Sequence, residues 1–64
     1  MILLINDKPT ETKAQTLAGL VLELEIEGAF ALALNENFVP KSQYADTLIN
    51  ENDRIEIVAP MQGG

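Results

Sequence analysis

Residues 16–35 read TLAGLVLELEIEGAFALALN, and the spacing of apolar side chains changes once within that span. Leu17, Leu20, Val21 and Leu24 fall at i, i+3, i+4 and i+7, the stripe of an amphipathic helix. Leu22 widens the stripe, while Glu23, Glu25 and Glu27 lie toward solvent. Thr16 stands just before it, where a hydroxyl can accept a free N–H of the first turn. Glu27-Gly28 supplies the stop, with Gly28 free to take the left-handed conformation that ends a helix. Gly19 weakens the helix by up to ~1 kcal/mol relative to alanine, which implies a close packing contact there. Beyond Gly28 the period falls to two. Phe30, Leu32 and Leu34 share one face of a strand, and Ala31 and Ala33 take the other.

Before the helix, MILLI (1–5) is an apolar strand with Leu3 and Ile5 on one side and Ile2 and Leu4 on the other. NDKP (6–9) is a cluster of turn formers, and TETK (10–13) alternates threonine with charge like a solvated edge strand. Residues 1–13 therefore read as a hairpin. After Leu34, the Asn35-Glu36-Asn37 turn leads to a short extended FVP, which Pro40 ends because it cannot donate to a ladder. KSQYADTLI (41–49) is irregular: Ser42 is a candidate cap for one turn, and Tyr44 a core aromatic beneath the loop. NEND (50–53) is a polar turn, and RIEIVA (54–59) a final strand with Ile55 and Ile57 inward.

The order is β, β, α, β, short β, β. One helix cannot cover both faces of a sheet, so it lies across one face and the layers number two. The first and last strands are the most apolar, which places them side by side at the centre, parallel, joined through a crossover that contains the helix. This is an α+β architecture, the ubiquitin-like β-grasp: a small mixed sheet, one main helix across one face, and a flexible C-terminal tail. Residues 1–64 form a single domain, with 59–64 as the extended tail.

Sixty-four residues leave no spare interior for a buried active site. With no cysteine and no histidine, the sequence has no thiolate ligand, no disulfide and none of the usual general bases. A metal site is not expected. Successive members of the Glu23, Glu25, Glu27 series lie about 200° apart around a helix, so they do not pair for acid–base work. Ten acidic residues against four basic ones give a net charge of −6, which disfavours nucleic acid and favours a basic protein surface. The absence of an apolar run of membrane length and of a leader points to a cytoplasmic protein.

The chemistry that remains lies in PMQGG (60–64). Fully extended, Ala59 to Gly64 reach about 20 Å beyond the sheet. Gly63 and Gly64 lack side chains, so their backbone can enter a channel too narrow for a Cβ. A terminal carboxylate is ionised at neutral pH and inert toward nucleophiles. Joined to AMP, it becomes a mixed anhydride that a sulfur nucleophile can open.

The opening MILLINDKP, the block LNENFVPKSQYADTLINENDRIEIVAPMQGG (34–64) and the length together resemble the ThiS sulfur carriers of thiamin biosynthesis, within the wider ThiS/MoaD ubiquitin-like group. The most specific positions are Asn35, Val39-Pro40, Tyr44, Asp53 before RIEIV, and Gly63-Gly64. Two positions depart from the pattern: Asn52 stands where glycine is usual, and Tyr44 where tryptophan is frequent. Asparagine also tolerates left-handed φ. The resemblance implies a carried substrate, not an enzyme, with no catalytic side chain and no bound cofactor. A ThiF-like enzyme would use ATP to adenylate the Gly64 carboxylate. A persulfide donor such as a cysteine desulfurase would supply sulfur to make a thiocarboxylate, and a ThiG-like thiazole synthase would accept it. Gly63, Gln62, Met61 and Pro60 would lie in a partner's channel, and a sheet patch including Val58 and Glu56 would dock.

Three other readings share this sequence. A MoaD-like carrier would use the same chemistry to supply molybdopterin synthesis. A covalent modifier would join Gly64 to lysine, and a plain interaction module would leave the tail without a role.

Overall fold

The computed structural model of the protein describes residues 1–58. Strands β1 (Ile2–Ile5), β2 (Lys8–Glu11), β3 (Ala31–Leu34), β4 (Asn37–Val39) and β5 (Arg54–Val58) form a five-stranded sheet ordered β2-β1-β5-β3-β4. Helix α1 (Leu17–Leu24) and a 3-10 helix, Lys41–Asp46, complete the described elements. As the apolar character of the two end strands requires, β1 and β5 are central, adjacent and parallel, with Leu4 beside Arg54 and Ile5 beside Ile55. The pairs β1–β2, β3–β4 and β3–β5 are antiparallel. The tail expected over 59–64, including Pro60, Met61, Gln62, Gly63 and Gly64, lies outside the described residues.

The core is one cluster between the sheet and α1. Leu3, Leu17, Leu20, Leu32, Val39, Tyr44, Ile49 and Ile55 are buried, and Ile5, Val21, Leu24, Phe30, Leu34 and Ile57 pack against them. Leu3, Ile55 and Leu32 are inward members of three neighbouring strands, set diagonally across the sheet, and with Leu17 and Leu20 they form the most deeply buried part of the core. Tyr44 is buried under the 41–49 loop and stacks on Phe30 with ring centroids 6.1 Å apart. That loop is stitched to the helix start: Leu17 N–H donates to Thr47 O, and Ile49 N–H to Gln15 O.

Both hairpins close with two-residue turns in which both central residues have positive φ: Asn6 (50°) and Asp7 (68°), then Asn35 (50°) and Glu36 (73°). This left-handed pair matches the twist of the flanking strands. The first turn is therefore tighter than NDKP suggests. Lys8 and Pro9 already belong to β2, where an edge strand tolerates proline. Asn52 also adopts positive φ, 70°, in the place expected for glycine.

Several local expectations are corrected. Thr16 caps α1 as expected, its Oγ1 accepting from Gly19 N–H at 3.1 Å. The helix, however, ends at Leu24, with Glu25 itself left-handed at φ 57° and its N–H turned back to Leu22 and Val21 carbonyls. Gly28, at φ 81°, belongs to the following turn. Leu22 does not widen the buried stripe; it is 79% exposed, 100° round the helix from Val21 and away from the sheet. Gly19 is not required by a close approach, since a Cβ there would meet its nearest atoms at 3.5 Å, an ordinary contact. Ser42 does not cap the 3-10 helix: Pro40 stands at its N-cap position, with no side-chain cap. Thr12, expected on a solvated edge, is buried. Its Oγ1 accepts from Ala14 N–H and donates to Glu23, which is exposed as expected and is also tied to the β2–α1 connection.

Candidate functional site

The sheet has one face under α1 and one without a layer over it among the described residues. Alternation along the strands fixes which side chains reach that open face. Inward Leu3, Leu32, Val39, Ile55 and Ile57 force Leu4, Ala31, Ala33, Phe38, Glu56 and Val58 outward. Strand register then brings them together. Phe38 lies opposite Ala33, Ala33 opposite Glu56, and Ala31 opposite Val58. Phe38 is 68% and Val58 58% exposed, two large apolar residues standing on either side of a floor made low by two alanines. Val58 is the last described residue before PMQGG, so this apolar strip ends where the tail begins.

Toward β1 the surface becomes charged. Leu4, Asn6, Asp7, Glu36, Arg54, Ile55 and Glu56 line a shallow concavity of about 240 Å³. That is smaller than the ~300–1,000 Å³ of typical small-molecule sites, and its lining is mostly polar. Arg54 reaches Asp7 at 2.9 Å, but both groups are largely exposed, so the pair contributes at most about 1 kcal/mol. Among the described residues no group of three metal-binding side chains comes together. No described helix is long and apolar enough to cross a membrane. This concavity is thus too small and open to enclose a typical small ligand, and Phe38 and Val58 stand exposed beside it on the open face.

Two asparagines fix β5 beneath this face. Asn35, at the β3–β4 turn, accepts Arg54 N–H on its Oδ1 at 3.0 Å and donates from Nδ2 to Asp53 Oδ1 at 3.1 Å. Asp53 also accepts Asn50 N–H at 2.8 Å. The signature residues Asn35 and Asp53 therefore act together, locking the loop before β5 to the far hairpin. Asn6, at the β1–β2 turn, accepts Ile57 N–H at 2.8 Å and donates to Ile57 O at 3.3 Å. Val58 and Glu56, the two expected docking residues that are described, are both exposed and on one face. Phe38 and Asn6 are additions from the structure. Phe38 was legible only through Val39: once Val39 is inward, its neighbour must point out.

A model of the ThiS family matches residues 3–64. A protein named thiazole synthase from Paramagnetospirillum magneticum is 38% identical over 66 residues; the match takes in all of this chain and 20% of that protein. The chain thus spans about a fifth of the length of that curated relative. Among solved structures, the crystal structure of a thiamine biosynthesis protein, ThiS, from Geobacter metallireducens superposes with a TM-score of 0.85 at 23% identity, covering the whole of both chains. A solution structure of a thiamine biosynthesis protein from the same organism gives 0.83 at 22% identity, covering all of this chain and 88% of that one. These structural likenesses concern the fold: a mixed five-stranded sheet with one helix packed on it. Since the family match runs from β1 to the last residue, the chain belongs to the ThiS family.

Proposed function

We propose that the protein is a sulfur carrier whose Gly64 carboxylate is activated and loaded by other enzymes, and that it supplies sulfur for thiazole formation in thiamin biosynthesis. The reading rests on family membership running through Gly63-Gly64, and it is supported by the likeness of the whole chain to part of a thiazole synthase. That second likeness favours a thiazole-forming acceptor over molybdopterin synthesis.

The chemistry proceeds in three steps on the tail. The carboxylate attacks the α-phosphorus of ATP, giving the acyl adenylate and releasing pyrophosphate. A persulfide sulfur then attacks the acyl carbon and AMP leaves, forming an acyl disulfide. A second thiol cleaves its S–S bond, leaving the thiocarboxylate on Gly64 and a disulfide on the donor side. ATP serves the activating enzyme and is not a resident cofactor of this chain. Gly63 supplies clearance in the enzyme's channel, and Pro60, Met61 and Gln62 set reach and approach. The Phe38–Val58 strip provides the docking surface from which the tail departs, with Glu56 and the other acids steering a basic partner. In this role the protein acts as substrate for a ThiF-like adenylyltransferase, a cysteine desulfurase and a ThiG-like synthase.

Intact-mass spectrometry tests this reading. Incubated with a ThiF-like enzyme, ATP and a persulfide donor, the chain should gain the mass difference between sulfur and oxygen at its C-terminal glycine. Deleting Gly64 should abolish the gain while the circular-dichroism spectrum stays unchanged. Loading that persists in the deletion refutes the assignment to Gly64, and lysine-linked adducts alone would make the chain a covalent modifier.

A further inference from the structure

The pairing of β1 with β5 is short. β1 ends at Ile5, whereas β5 runs on through Glu56, Ile57 and Val58. On the β1 side the ladder proceeds from Leu4 N–H to Asp53 O and then from Asn6 N–H to Ile55 O, both at 2.9 Å. At the next rung the main chain has already turned away into β2. The Asn6 carboxamide takes that rung, its oxygen receiving Ile57 N–H and its NH₂ donating to Ile57 O. A carboxamide carries the same donor and acceptor as a peptide unit, so it stands in for the missing strand residue. Asn35 performs the matching task at the opposite end and opposite edge of β5, where it holds Arg54.

We propose that Asn6 is a positioning residue for the carrier reaction: its side chain holds Ile57 in the sheet and so fixes the root from which the tail leaves. The inference deepens the proposed function and rests on it for its kinetic arm. The physical reason is pre-organisation. Val58 belongs to the docking strip, and the acceptor carbon of Gly64 lies six residues further on, up to about 20 Å away when extended. A β5 end that is already in place when the body docks spares the complex the entropy of ordering it.

Asn6→Gly removes the carboxamide while keeping positive φ at the turn accessible. Asn6→Asp retains the acceptor for Ile57 N–H. Asn35→Gly removes the equivalent side chain at the other end of β5 and controls for general loosening. In Asn6→Gly, amide hydrogen exchange at Ile57 should accelerate about tenfold, and KM for the chain in adenylation should rise about three- to tenfold with kcat little changed. Asn6→Asp should recover most of the Ile57 protection and part of the KM, and Asn35→Gly should leave KM unchanged. Unaltered Ile57 exchange in Asn6→Gly overturns the inference, as does an equal rise of KM in both glycine variants. If the wild-type chain is not adenylated at all, the proposed function falls, and the exchange measurement still decides by itself whether Asn6 holds Ile57.

Discussion

At the scale of single residues, backbone conformation sorts this chain's small and polar residues more sharply than their type does. Gly19 sits inside α1 with ordinary helical φ and room for a methyl group. Gly19→Ala should therefore stabilise the protein by about 0.5–1 kcal/mol, read from the urea midpoint at constant m-value. Glu36 is the opposite case, a side chain held at φ 73° in a two-residue turn that favours glycine. Glu36→Gly should also stabilise, by about 0.5–1 kcal/mol, because relief of left-handed strain exceeds the added unfolded-state entropy. Thr12 shows the cost of a buried polar group that has found partners. Thr12→Val should destabilise by about 1–3 kcal/mol, since it strands Ala14 N–H and frees Glu23. None of these three environments can be read from residue type: glycine in a helical pattern, glutamate in a turn and threonine near an edge each admit both outcomes.

At the scale of elements, the periodicities placed the hairpin, the helix and β3 within a few residues, and the apolar contrast among strands identified the central pair. The helix end was misplaced because the sequence offers a glycine at 28, whereas the chain turns at Glu25. Glu25 takes the left-handed conformation itself, and its N–H closes the last turn on the Leu22 and Val21 carbonyls. Asn35 and Asp53 were recognisable as family positions but not as a pair. They meet only because β3 and β5 are antiparallel neighbours, which brings the β3–β4 turn to the start of β5. A double-mutant cycle on Asn35→Gly and Asp53→Ala should return a coupling energy of about 0.5–1.5 kcal/mol from chemical denaturation. Strict additivity would mean that the two side chains hold separate parts of the loop.

At the scale of the whole molecule, the closed face under α1 supplies stability and the open face is the proposed docking surface. Phe38 and Val58 can be altered without disturbing the core, because both are more than half exposed. Phe38→Asp should lower affinity for the partner enzymes by about tenfold while shifting the urea midpoint little. Isothermal titration beside denaturation would separate the two effects. Excess negative charge acts over longer distance. Glu56→Lys should slow association more at low salt than at high salt, measured by stopped flow. Equal rates would leave the charge of −6 as a matter of solubility.

Composition and periodicity alone determined that this chain builds a two-layer α+β fold and carries neither thiol nor imidazole chemistry, and they are the ground for proposing PMQGG as its reactive segment. Those conclusions depend on residue type and local spacing, which a linear string records fully. Tertiary structure alone decided that Phe38 joins Val58 across two alanines, that Thr12 is buried, and that the Asn6 side chain holds Ile57. Each of these depends on register between strands distant in sequence. A one-residue slip would invert every one of them while leaving the pattern in the string unchanged.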